Sequence, residues 1–327
     1  MPVTASSYHA PPWLRSGHLQ TILGACKPAP VITYQRRRIE TPDGDFLDID
    51  TVTSGHPRLV IISYGMEGDV HRHYVRTMVQ ALRDAGRDVW VWNYRGISGE
   101  PNRKVHFYHG GMTDDLAMVI LEARFAGYLH IDLVGFSLGG NLTMNYLGRL
   151  EHRVPGEIRR AVCLSVPVDV EDCARRLNAP DNRFYIRRFL NSFRERIRQK
   201  MHVMPGHIDD VGYDEIRTLE DYDARYTVPH FGFNDVPAFY RWVSSRYVLG
   251  GIQRPTLLVN ALDDPFMGPH CYPRTEAGHH PFLTLELARH GGHLGFLGRN
   301  GWLERRTLAF LDDTTPLQAG SLIPQNG

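Results

Sequence analysis

A serine with a glycine two residues to either side, Gly135-Phe136-Ser137-Leu138-Gly139, is the segment of this chain best suited to chemistry. It follows the mostly apolar run 131–134 and precedes a helix-like stretch from Asn141 to Leu150. Strand, tight turn and helix in that order form the setting of a nucleophile elbow. The turn holds its central residue in a strained backbone conformation, and side chains two positions away would collide, so both flanking sites must be small. The serine oxygen is then presented above a sheet edge, where the first N–H groups of the helix face developing negative charge. Covalent catalysis through Ser137 is the chemistry this pattern could do.

A serine hydroxyl is a poor nucleophile at neutral pH. It needs a base within hydrogen-bond reach and a third group that fixes the tautomer of that base. Two late segments can supply them, each after a strand-like run: Asp263-Asp264 in N-A-L-D-D-P-F, after 255–260, and His293 in R-H-G-G-H-L-G-F, after 282–287. The order serine, acid, histidine, with the last two on loops after late strands, is that of the α/β-hydrolases. Asp264 is favoured because it lies three residues after the small Ala261; Asp263 stays as the alternative. His293 is favoured over His290 because Gly291 and Gly292 let its loop fold over the serine, whereas His290 sits nearer the strand end. Taken singly, a D-D-P is an ordinary turn and a glycine-flanked histidine an ordinary solvated residue. An oxyanion hole needs two backbone N–H groups. Leu138 offers one, and Met66 in the loop Tyr64-Gly65-Met66-Glu67-Gly68 offers the other, although the same glycines would also serve a plain strand-exit turn.

The elements that must position these groups read as alternating strands and helices. A hairpin spans 36–40 and 46–52 around Pro42-Asp43-Gly44-Asp45, and strands are expected at 58–63, 88–93, 130–134 and 161–166. The apolar spacing of Val75, Met78, Val79 and Leu82 predicts a helix over 73–85, and Thr113-Asp114-Asp115 opens another. After Pro167 the alternation stops for about 80 residues of helical pattern, then resumes at 255–260 and 282–287, with a last helix over 302–311. The expected fold is a mostly parallel sheet flanked by helices. Its core spans 1–167 and 251–313, a helical cap over 168–250 is inserted after the sixth strand, and 314–327 forms a polar tail. In the cap, Ile186, Phe189, Leu190, Phe193, Ile197, Met201 and Met204 share one helical face, with Arg187, Arg188, Arg194, Arg198 and Lys200 largely off it. Such a helix either packs on the sheet domain or touches a lipid surface or acyl chain.

Composition excludes several classes. The chain has 327 residues, 42% hydrophobic and 22% charged, with a formal net charge of +1, so nothing favours nucleic acid. No stretch approaches the roughly 20 apolar residues of a membrane span, and the first 12 residues lack the basic and apolar regions of a signal peptide. Cys26, Cys163, Cys173 and Cys271 are widely spaced, which fits a reducing cytoplasm. The pairs His71/His73, His106/His109 and His279/His280 come with no carboxylate at ligand spacing, so neither metal nor cofactor is expected. Oligomeric state is not legible.

Further segments resemble one family, the YheT-type α/β-hydrolases, over about residues 11–311. They are P-P-W-L-R-S-G-H-L-Q-T-I (11–22), N-Y-R-G-I-S-G-E-P-N-R (93–103), G-F-S-L-G-G-N (135–141), D-Y-D-A-R-Y-T-V-P-H-F-G-F (221–233) and the two late motifs. The resemblance implies a cofactor-independent serine hydrolase of carboxylic esters, acting on short-chain esters or on acylglycerol and phospholipid acyl groups. By it the nucleophile falls on Ser137, the acid on Asp264 and the base on His293. Tyr64 stands where the family has histidine in H-G-x-E-G, which puts side-chain contacts at the pocket mouth in question. An acyltransferase with the same triad, or a catalytically silent binding protein, are the other readings.

Overall fold

The computed structural model describes residues 3–298 and 301–313; the expected tail lies outside them. Among the described residues, nine strands form one sheet: β1 (Val3–Ala5), β2 (Gln35–Glu40), β3 (Phe46–Val52), β4 (Arg58–Ser63), β5 (Asp88–Trp92), β6 (His130–Phe136), β7 (Ile158–Leu164), β8 (Thr256–Ala261) and β9 (Leu283–Ala288). Their order is β1-β9-β8-β7-β6-β4-β5-β3-β2. Only the β2/β3 and β3/β5 pairs are antiparallel. The central strands are apolar on both faces (Leu59, Val60, Ile61 and Ile62 are at most 1% exposed), as a strand covered by helices on both sides requires.

The chain leaves β4 through α2 (His73–Asp84) to reach β5, then returns past β4 through α3 (Thr113–Phe125) to β6. Right-handed crossovers that step in opposite directions put those two helices on opposite faces. α4 (Leu138–Leu150) packs beside α3, while α1 (Gly17–Cys26) and α11 (Trp302–Leu311) pack beside α2. Because β4 leads one way along the sheet and β6 the other, a crevice opens between their carboxyl ends, where α/β sheets place their sites. The loop after β4 carries Met66 and the turn after β6 carries Ser137.

Between β7 and β8 lie α5 (Val170–Leu177), α6 (Arg183–Val203), α7 (Leu219–Tyr222), α8 (Val228–Phe231) and α9 (Val236–Val243), with a π-helical turn at Asp223–Thr227. α10 (Arg274–Gly278) follows β8. The helices after β7 have an apolar cluster of their own, including Ile186, Leu190, Phe193 and Ile197, against which Met66, Val105 and Phe107 pack. No helix among the described residues is long and apolar enough to cross a membrane.

One expectation needs correction, and one burial goes beyond the sequence reading. The insertion follows the seventh strand, because Val3–Ala5 pairs in parallel with β9 at the sheet edge. Three residues are too few to display a periodic pattern. Lys200 does not face water: it is 1% exposed, and its ammonium donates to the Asn102 backbone and side-chain oxygens and to Lys104 O. Three oxygen acceptors and the Phe107 ring replace its hydration, which no helical wheel reveals.

His109 is buried among Phe231, Phe239 and Trp242, and its Nδ1 accepts from the Gly111 N–H. Burial pushes this imidazole down from 6.5 to about 3. Below the unfolded value the unfolded chain takes up a proton that the folded chain refuses, so stability is full above 6.5 and falls toward 3. At pH 5 this group should cost about 2 kcal/mol relative to pH 7.5. Urea titrations at the two pH values should show a loss of stability in the native chain that is about 2 kcal/mol smaller in His109→Gln, the remainder coming from His73, His106 and His280, which burial also lowers.

Candidate active site

Ser137 is the residue between β6 and α4, with φ 52° and ψ −119°. A backbone forced there costs about 1–3 kcal/mol and persists only where its surroundings over-determine it. Here Ser137 N donates to Leu164 O, and Asn141 N closes the first helical turn on Ser137 O. Glycine is required on both sides. A Cβ on Gly135 would stand 2.5 Å from Gly140 Cα, and one on Gly139 would stand 2.2 Å from Ser63 O. The helix therefore begins at Leu138, three residues earlier than the apolar pattern predicts. As the first helical residue, Leu138 has an N–H with no intrahelical acceptor.

The loop after β9 brings His293 to the serine. His293 Nε2 lies 2.9 Å from Ser137 Oγ, and Nδ1 lies 2.8 Å from Asp264 Oδ2. The side chain of Asp264 is fully buried, and its other oxygen accepts from the Phe266 N–H at 2.9 Å. The Phe266 ring lies over the imidazole, 4.3 Å between centroids, and touches Tyr185 of α6. The neighbouring aspartate does different work. Asp263 Oδ1 accepts from Gly292 N at 2.9 Å, and Oδ2 faces His290 Nδ1 at 3.3 Å, so both Asp263 and His290 brace the turn and neither meets Ser137.

Three supports escaped the sequence reading. The His293 N–H donates to Thr21 Oγ1 at 2.8 Å, Leu297 N donates to Gln20 Oε1 at 2.9 Å, and Leu294 N donates to Ser165 Oγ at 3.1 Å. Thr21 and Gln20 lie on the buried face of α1, inside the motif at 11–22 whose role composition could not suggest. That unexplained motif was the available signal.

In the loop after β4, Gly65 N donates to Tyr74 Oη, Glu67 N to Tyr108 Oη and Gly68 N to Gly65 O. The Met66 N–H takes no acceptor among the described residues. A Cβ on Gly65 would lie 3.1 Å from Ser137 Cβ, which measures how closely this loop approaches the serine. Tyr64 does not reach a pocket mouth. It is 0% exposed, donates to Asn93 Oδ1 and stacks edge-on against Tyr94, because its side chain points into the core. The histidine pairs are dispersed among local partners: His71 with Arg76, His73 with Pro28 O, His106 and His109 with the Phe231 ring, His279 with Thr275 O, and His280 with Phe282 N. No group of three or more His, Cys, Asp or Glu that could hold a metal occurs among the described residues. The four cysteines are unpaired.

A profile of the alpha/beta hydrolase fold family matches residues 58–299. The chain belongs to that family. This alpha/beta hydrolase is 33% identical to the candidate esterase YheT of Escherichia coli (strain K12), over 93% of this chain and 92% of the relative. It is 27% identical to human phospholipase ABHD3, over 90% of this chain and 75% of that one. A monoacylglycerol lipase of Saccharomyces cerevisiae (strain ATCC 204508 / S288c) is 28% identical, over 83% and 62%. In fold it resembles the Pyrococcus furiosus esterase Pf2001, with a TM-score of 0.57 at 16% identity over 95% of this chain and 97% of that one. The likeness to YheT-type hydrolases drawn from the motifs holds, and the names of these relatives agree on ester hydrolysis.

Gly139→Ala should destabilise this alpha/beta hydrolase by about 3 kcal/mol or prevent folding, since the clash is with backbone. Gly156→Ala, where an added Cβ meets nothing within 4 Å, should leave the urea midpoint unchanged.

Proposed function

We propose that this enzyme hydrolyses carboxylic esters through an acyl-enzyme on Ser137, with His293 as base and Asp264 as its orienting acid. One observation carries the reading: a continuous hydrogen-bonded line from the buried Asp264 carboxylate through both imidazole nitrogens to the strained serine. With Nδ1–H donated to Asp264, the Nε2 lone pair is free to take the Ser137 proton as Oγ attacks the ester carbonyl. The tetrahedral oxyanion is held by the N–H groups of Leu138 and Met66, each donor of this kind being worth about 10²–10³ in rate. The protonated imidazole then gives its proton to the departing alcohol. Water, deprotonated by His293, releases the acid and restores the serine.

No cofactor takes part in this scheme. Residues 168–250 serve as a cap over the crevice, where Tyr185 backs Phe266, the ring that lies over the imidazole and shields it from water. Relatives named esterase, phospholipase and monoacylglycerol lipase favour short- to medium-chain acyl esters, including acylglycerols and phospholipids, as substrates. The four free cysteines suit a reducing compartment, and we assign the cytoplasm.

An organophosphonate probe should label the native enzyme and leave Ser137→Ala unlabelled; undiminished labelling of that variant would remove the assignment. Asp264→Asn should lower kcat by about 10⁴, the loss typical when the orienting acid becomes an amide. Asp263→Asn should cost less than about tenfold, because it removes a loop brace and leaves the tautomer intact. Steady-state rates on a p-nitrophenyl ester separate the two.

A further inference from the structure

Glu67, the residue after the proposed oxyanion donor Met66, combines three features that its loop does not need for a simple turn. Its backbone is left-handed at φ 55°, its carboxylate is 6% exposed, and that carboxylate is bound by the cap. Arg196 of α6 donates Nε to both carboxylate oxygens at 3.0 and 2.8 Å, and Ser192, one helical turn earlier, donates its hydroxyl to Oε2. Tyr108 Oη donates to Oε1 at 3.1 Å and accepts the Glu67 N–H at 2.9 Å. Arg72 holds the Glu67 carbonyl at 2.6 Å, and Arg196 Nη1 extends to Gly96 O at 2.8 Å. The peptide ahead of it is fixed too. Gly65 O accepts from Gly68 N across Glu67, and a trans peptide then directs the Met66 N–H to the opposite side. The Met66 side chain packs against the apolar cluster of the helices after β7.

We propose that Arg196 is a positioning residue for acyl transfer: by clamping Glu67 from the cap it fixes the Met66 N–H as an oxyanion donor and neutralises a carboxylate that would otherwise oppose the oxyanion. The inference rests on the serine-hydrolase reading. Two effects act together. Without the guanidinium, Ser192 is the one polar contact left to Glu67 from α6, and a buried carboxylate with no cation beside it remains near the place where negative charge develops. Seating of the cap and completion of the oxyanion hole thus become one event, since α6 supplies both the clamp and part of the surface on which Met66 rests.

The test uses the full chain and p-nitrophenyl butyrate, after loss of hydrolysis in Ser137→Ala has established the serine mechanism on its own. Arg196→Gln should lower kcat about 10- to 100-fold while KM stays within about threefold. The inhibition constant of phenylboronic acid, whose serine adduct is tetrahedral, should rise by a similar factor. Glu67→Gln/Arg196→Gln should recover part of the loss, because the unpaired charge is gone; a merely structural contact would give no such recovery. Arg196→Lys, which keeps the charge but not the two-oxygen contact of Nε, should fall between native and Arg196→Gln, and it decides the matter if Arg196→Gln does not fold. Unchanged kcat and boronate inhibition in a folded variant, or a rise confined to KM, would overturn the proposal while leaving the serine mechanism intact.

Discussion

The backbone of Ser137 is the constraint on which the rest of the arrangement depends. Its left-handed conformation is held between a central strand and a helix that can begin there only because Gly135 and Gly139 leave room for neighbouring backbone. That placement presents the hydroxyl at the crevice where the connections leaving β4 and β6 part, and brings the loop after β4 against it. The sheet's buried aliphatic strands supply the rigidity against which such strain can persist.

Everything else brings distant chain to that point. His293 lies 156 residues beyond the serine, on a loop rich in glycine that would be mobile if left alone. It is instead tied to α1 through Thr21 and Gln20, to the strand end at Ser165, and to its neighbouring loop through Asp263. The segments before and after β8 add their own restraints: Phe266, in the loop after β8, lies over the imidazole and is backed by Tyr185 of α6, while Arg196 and Ser192 of α6 hold Glu67 in the loop that carries Met66. The site is therefore a junction of the amino-terminal helix, the sheet and the inserted helices, each of which restrains a different loop.

Much of this was legible because it is local. The elbow is a five-residue pattern, the buried strands are continuous apolar runs, and the order of serine, acid and histidine follows the chain. What was not legible depends on side-chain direction and on pairs far apart in sequence. Two adjacent aspartates look alike on paper, yet successive positions of a turn send one carboxylate to an imidazole and the other to a backbone N–H. Tyr64, at the start of the loop that carries Met66, points into the core because Asn93 and Tyr94 await it there. Lys200 reads only as a charge off the apolar face of its helix, and its burial depends on the carbonyls of Asn102 and Lys104 brought beneath it. The amino-terminal motif was visible as a pattern, but its purpose, support of a loop more than 270 residues away, was not.

The central claim is that acyl groups pass through Ser137. The most direct measurement is quenched-flow mass spectrometry of the enzyme during turnover of a slow ester, with tryptic mapping of the acylated species. The account predicts one acyl increment per chain on the peptide spanning 125–149, localised to Ser137 and lost as hydrolysis completes. An acyl group on another residue, or ester turnover under conditions that trap acyl-enzymes with none on Ser137, would contradict it.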